Sequence, residues 1–143
     1  MGIISNASKN IIDMFGVTAE KAKGASINTM MPYFMRDEHD EIMTKWSQSG
    51  TWRTIGKLKE IFCVHKRQYC FSALIYLKIY IKDGFLHFIT NIFKINEKDY
   101  LVRNPSGTIE GLGVKFLSIL GEEAKNIPLH LLIENPTNLP VKE

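Results

Sequence analysis

Four histidines and two cysteines are the residues of this 143-residue chain best suited to metal or redox chemistry. Cys63 and His65 stand two apart in the β-prone run IFCVHK, so on a strand they point the same way, as two metal ligands would. No further clustered Cys, His or acid completes a tetrahedral set, and ordinary strand residues is the stronger reading. Cys63 and Cys70 have no third cysteine and match neither a disulfide framework nor a CxxC motif, which points to a reducing, intracellular setting. His39 falls between Glu38 and Asp40 in a polar first helical turn, where a solvated histidine is far commoner than a haem ligand. His87 lies on a strand opposite Tyr80, an arrangement that suits a cross-strand packing pair better than a pH-switched interface.

Catalytic patterns are absent from the sequence. It has no nucleophile elbow, no HExxH and no phosphate-cradling GxxxxGK[ST]. The glycines of GTIEGLG match GxGxxG only if the spacing is ignored. The chain is therefore expected to be no enzyme and to hold neither metal nor cofactor.

Composition narrows the partners. A hydrophobic share of 45% with 23% charged residues is that of a folded globular chain. The net charge of +3 is mild, with the only basic concentration around Lys57, Lys59, Lys66 and Arg67. Tyr76, Tyr80 and Phe93 could stack on nucleobases, but only Lys78 and Lys82 stand near them as phosphate partners, so no nucleic acid is expected. No apolar run is long enough to span a bilayer, and Asn6 breaks the MGxxx[ST] myristoylation pattern, so no direct membrane insertion is expected.

The elements that must position these residues follow from periodicity and breakers. GIISN is a short β-prone run, and Ser8 or Asn6 can cap a helix that places Ile11, Ile12 and Phe15 on one face and stops at Gly16. TAEKAKGASINTMMP reads as short helical turns broken at Gly24 and ended by Pro32. DEHDEIMTKWSQSG has acids in its first turn, Ile42, Met43 and Trp46 on one face, and Gly50 where a left-handed cap belongs. Three antiparallel strands then follow: GKLKEIFCVHK, CFSALIYLKIYIK and FLHFITNIFKI.

Asp83-Gly84 is the residue pair that a type I′ turn selects, and a two-residue turn sets the register: Lys82 faces Phe85, Tyr80 faces His87, Leu74 faces Phe93. One hairpin face carries Ala73, Ile75, Leu77, Ile79 and Ile81 opposite Leu86, Phe88, Thr90 and Ile92, the expected core face. The other, a mixed face, carries Leu74, Tyr76, Lys78, Tyr80 and Lys82 opposite Phe85, His87, Ile89, Asn91 and Phe93. It is too apolar to be left wholly in water and is the expected interface.

GTIEGLGVKFLSILG, from Gly107, runs in step with GIISNASKNIIDMFG, from Gly2: Ile109 aligns with Ile4, Phe116 with Ile11, Leu120 with Phe15. Farther on, EEAKN echoes EKAKG and LLIENP loosely echoes TMMPYF. The chain thus reads as one unit, residues 1–97, followed by a tail, 98–143, that resembles the opening of a second.

The order of these pieces resembles a PAS domain from Gly2 to about Ile95. The residues that carry it are IISNASKNIIDMFG, MMPYFMRDEHDEIMTKW and IFCVHKRQYCFSALIYLKIYIKDGFLHFITNIF. The resemblance implies an α+β, profilin-like fold: one antiparallel sheet of five strands with short helices on one face and the first strand in the middle. That first strand is expected ahead of Met1. YLVRN, residues 100–104, is the candidate within the chain to fill its slot beside the third strand, in the same chain or by exchange with a second one, with Asn104-Pro105-Ser106-Gly107 as the turn into TIEGLG. The rival reading makes the tail an incomplete second domain.

The resemblance further implies a non-enzymatic module for signalling, protein–protein interaction or dimerisation, cut from a larger tandem-PAS protein. Its partners would be protein, self or other domains of the parent, and its location intracellular on the cytoplasmic side; a membrane-associated parent is compatible with this. The interface residues would be Leu74, Tyr76, Tyr80, Ile89 and Phe93. The alternative is a small-molecule or haem-binding PAS sensor, with His39, Ile42, Met43 and Trp46 as pocket candidates. The Asn-Cys-Arg motif of flavin photoreceptors is absent around MMPYFMRDEHD.

Overall fold

The computed structural model describes residues 2–50, 53–95 and 99–131. The chain is α+β and divides into two units, Met1–Lys98 and Asp99–Glu143.

The first unit is built on the antiparallel sheet β1 (Leu58–Val64), β2 (Cys70–Lys82) and β3 (Phe85–Lys94), in that order across the sheet. Asp83 and Gly84 have φ of 52° and 77°, both positive as a type I′ turn requires. The register is the one this turn dictates, with Lys82 opposite Phe85, Tyr80 opposite His87 and Leu74 opposite Phe93.

Ahead of the sheet lie α1 (Ile11–Phe15), α2 (Ala19–Ala22), two short 3-10 turns and α3 (Arg36–Ser49). Thr18 caps α2, its hydroxyl accepting the Lys21 N–H at 3.3 Å. The α1 helix begins two residues later than a Ser8 cap and four later than an Asn6 cap would give: its N-cap is Asn10, with no side-chain capping bond. Its inward face is Ile11, Met14 and Phe15, the i, i+3, i+4 set, which leaves Ile12 exposed on the outer side. The core joins Phe15, Ala22 and Met30 to Cys63, Phe71 and Ala73 of the sheet. The Phe15 and Phe71 rings meet edge to face with centroids 5.4 Å apart. The Lys66 N–H donates to the Phe15 carbonyl at 2.9 Å, tying the β1–β2 turn to the end of α1.

A single five-stranded sheet does not form. β4 (Leu101–Arg103) and β5 (Ile109–Leu112) pair antiparallel with each other in a separate two-stranded sheet, so YLVRN does not extend the first sheet. Local closure accounts for this. Gly107 N–H donates to the Asn104 carbonyl at 2.9 Å, and Asn104 Oδ1 accepts from Thr108 N–H at 3.0 Å and Ser106 Oγ at 2.6 Å. These three hydrogen bonds hold the chain in the β4–β5 turn. Beneath the hairpin, Ile109 and Leu112 are fully buried against Ala124 and Leu129, with Phe116, Leu117 and Leu120 of α4 (Val114–Leu120) packed around them.

The second unit repeats the backbone hydrogen bonds that the first unit makes around Ile4. Ile4 N–H donates to Ala25 C=O at 2.9 Å and accepts at its own carbonyl from Gly24 at 2.8 Å; Ile109 N–H donates to Ile127 at 3.0 Å and accepts from Asn126 at 2.8 Å. The bond from Ile27 N–H to Gly2 C=O, 2.8 Å, is matched by Leu129 N–H to Gly107 C=O, also 2.8 Å. The bridges Ile3–Ser26 and Thr108–Pro128 correspond, and Ala22 and Ala124 are each 2% exposed in their cores. Gly24 and Asn126 hold the same left-handed turn, with φ of 83° and 68°. One difference is instructive: GIISN makes only an isolated bridge, whereas TIEGLG becomes a true strand because β4 pairs along its other edge.

Candidate interaction surface

β2 has thirteen residues, about 40 Å of strand, whereas α1 is about 7 Å long. β1 pairs only with Cys70–Tyr76, and one further bridge joins Ile55 to Leu77. Beyond Leu77 the ladder is two strands wide among the described residues, so Lys78–Ile89 forms a hairpin arm.

Burial follows this geometry. Ala73 and Ile75 are buried, but the core face expected from alternation does not continue: Ile79 and Leu86 are exposed and Ile81 is 76% exposed. The residues of α1, α2 and the first 3-10 turn pack on the sheet's first half, at Cys63, Phe71 and Ala73. On the opposite face Tyr80 is exposed, with Phe85 at 72%, Ile89 at 49% and Phe93 at 56%, while Leu74 and Tyr76 are half-buried. The arm thus carries large apolar side chains on both faces, in two adjacent strands. His87 stacks on Tyr80, and Lys78 Nζ lies 5.7 Å from the centre of the Tyr76 ring.

The residues around α3 form a different environment. His39, Ile42, Met43 and Trp46 are half-buried, and no residue of α3 is fully buried. Burial lowers the His39 pKa from its ordinary value, and the Asp40 carboxylate opposes this. Asn28 Nδ2 donates to Asp40 Oδ2 at 2.9 Å, while Asn28 Oδ1, His39 Nδ1 and Asp40 Oδ1 are buried without a hydrogen-bond partner. A shallow groove runs along the outer side of the helix, lined by Asp37, Asp40, Glu41, Thr44, Lys45 and Gln48. It contains none of the four pocket candidates.

The cysteine and histidine pair near the β1–β2 turn is not brought together as a ligand set. Cys63 is buried on the strand, and burial, with Cys70 adding to it, pushes its thiol up to about 12. Both cysteines are free and buried. His65 lies one residue past the end of β1, in the turn, stacked on Tyr69 at 4.5 Å with Nδ1 accepting the Arg67 N–H at 3.1 Å. Among the described residues no cluster of three or more His, Cys, Asp or Glu could hold a metal, and no helix is long and apolar enough to cross a membrane.

Comparison with known proteins finds no family model that matches the chain and no curated protein similar to it in sequence.

The exposed distal half of the hairpin was not anticipated from alternation alone. Length carries the signal: β2 has thirteen residues, whereas the helices α1 and α2 that flank the core have five and four.

Proposed function

We propose that this chain is a non-enzymatic, PAS-like module that acts by binding protein, for signalling or dimerisation, and that it comes from a larger protein with tandem units. The observation that carries this reading is the β2–β3 arm, where Ile79, Tyr80, Ile81, Phe85, Leu86, Ile89 and Phe93 are exposed together. Fully burying one such side chain is worth roughly 1.5 to 3 kcal/mol, so a partner covering several of them gains strongly. The repeated hydrogen-bond pattern at Ile4 and Ile109 supports a tandem origin. The half-buried face residues Tyr76 and Leu74 join the exposed Tyr80, Ile89 and Phe93 as the binding surface, and its partners are a second copy or neighbouring domains of the parent.

Sedimentation across a concentration series tests the reading, comparing the chain with a Tyr76→Asp, Tyr80→Asp variant. Weakened association with an intact fold is expected. Unchanged association and thermal stability would show that this face does not bind protein.

The second reading, a small-molecule or haem sensor, has one observation in its favour: the unpaired buried atoms of Asn28, His39 and Asp40 beside α3. An absorption spectrum of the purified protein separates the two, since a Soret band would establish the sensor.

A further inference from the structure

Among the described residues no strand pairs with the outer edge of β3, where the sheet ends. Its hydrogen-bonding parity follows from the turn. Lys82 and Phe85 flank a two-residue loop and so form a hydrogen-bonded pair, and the odd-numbered residues of β3 bond inward to β2. The Ile95 N–H, which donates to the Ser72 carbonyl at 3.0 Å, continues that parity. Leu86, Thr90 and Ile92 therefore aim their backbone N–H and C=O groups at the open edge. The edge carries none of the usual protections: no proline and no bulge interrupts Phe85–Lys94, and its one charged residue, Lys94, stands at the end.

The sequence of this edge is symmetric about Ile89. Phe85 and Phe93 lie four residues to either side, and His87 and Asn91 two. If two copies of β3 pair antiparallel about a two-fold axis at Ile89, Ile89 meets its own copy, Phe85 meets Phe93 and His87 meets Asn91, all on one face. On the other face Leu86 meets Ile92. Phe88 meets Thr90 on that face as the one mixed pair, and every other direct pair joins apolar to apolar or polar to polar. A slip of two residues in either direction breaks this, setting Ile89 against Asn91 or His87. Backbone parity agrees with the same register: Leu86 and Ile92 become a hydrogen-bonded pair, and Ile89 with its copy a non-hydrogen-bonded pair, the kind in which side chains stand closest. Phe85, Ile89 and Phe93 are also the most exposed large apolar residues on that face.

We propose that two copies of this chain pair edge to edge along β3, antiparallel about Ile89, to make one continuous six-stranded sheet. This rests on the protein-binding reading above and adds the partner and its register. The arm, with large apolar side chains exposed on both faces, becomes the centre of the shared sheet.

Two variants test it. Ile89→Cys places two thiols across the axis at a distance suited to a disulfide, and the native cysteines are buried and do not compete. Mild oxidation should convert most of the variant to a covalent dimer on a non-reducing gel, whereas Tyr80→Cys, on the inner strand, should stay monomeric. Thr90→Pro removes an outward N–H without touching the β2–β3 ladder, and should lower the dimer affinity at least tenfold with the circular dichroism spectrum unchanged. Cross-linking through Tyr80→Cys in place of Ile89→Cys would overturn the register and leave face-to-face binding standing. A chain that sediments as a monomer at high concentration would overturn the pairing altogether, while the Tyr76→Asp, Tyr80→Asp comparison continues to test binding to a different protein.

Discussion

The imidazole of His87 lies over the ring of Tyr80, centroids 5.0 Å apart and planes inclined by 22°, across the directly opposed positions of β2 and β3. Both residues sit on the hairpin arm, where the ladder is two strands wide among the described residues. Replacing either by alanine should cost about 0.2 to 1 kcal/mol. A double-mutant cycle followed by urea unfolding measures the coupling, and a coupling of zero would mean that the stacking contributes nothing.

Gly84 closes the arm with φ of 77°, and no atom lies within 4 Å of where a Cβ would stand. Gly84→Ala therefore tests backbone strain without a clash, and should destabilise by about 1 to 2 kcal/mol. Thermal unfolding of the variant provides the measurement, and an unchanged midpoint would rule out the type I′ turn.

Asp99 caps α4 from outside the helix: its Oδ2 accepts the Phe116 N–H at 2.7 Å and its Oδ1 the Lys115 N–H at 3.3 Å. Asp99→Ala should cost about 0.5 to 2 kcal/mol in the second unit. Hydrogen exchange at Lys115 and Phe116 should quicken while exchange in β2 stays as it was. Gly113→Ala should be at least as harmful, because its Cβ would collide with the Asp99 carboxylate and the Tyr100 backbone nitrogen.

Burial lowers the pKa of His65 below its ordinary 6.5, with Arg67 and Lys94 adding to the effect. His39 shifts the same way through burial, against the pull of Asp40. As pH falls, the unfolded chain takes up these protons before the folded one does. Their contribution is therefore fully present above the unfolded value and is lost as pH falls below it, towards the folded values. The melting temperature should drop between pH 7.5 and 5.5, and His65→Gln combined with His39→Gln should flatten that slope. An equally steep slope in the double variant would assign the pH dependence to other groups.

The local grammar of this chain is written in short stretches of sequence. Asp83-Gly84 selects its turn because both positions need positive φ, and the turn then sets ten cross-strand pairs from Ala73–Lys94 to Lys82–Phe85. Gly50 ends α3 in the left-handed conformation, its N–H donating to the Trp46 carbonyl at 3.1 Å. The recurrence of Gly2–Gly16 at Gly107–Gly121 is legible because the same apolar spacing builds the same hydrogen bonds around Ile4 and Ile109. These features depend on neighbours close in sequence, or on a period that carries its own register.

Which strands join which sheet, and which apolar faces stay open, depends on tertiary structure. Leu101–Arg103 had two candidate partners, β3 and Ile109–Leu112, each a short loop away; the hydrogen bonds of Asn104 across the turn and the burial of Ile109 and Leu112 favour the second. Alternation identifies Ile79, Ile81 and Leu86 as one face of the hairpin, but burial requires something to lie over it, and the residues of α1 and α2 pack on the first half of a thirteen-residue strand, at Phe71 and Ala73. Periodicity defines the faces of an element; the reach of the elements packed against it decides which of those faces meets water.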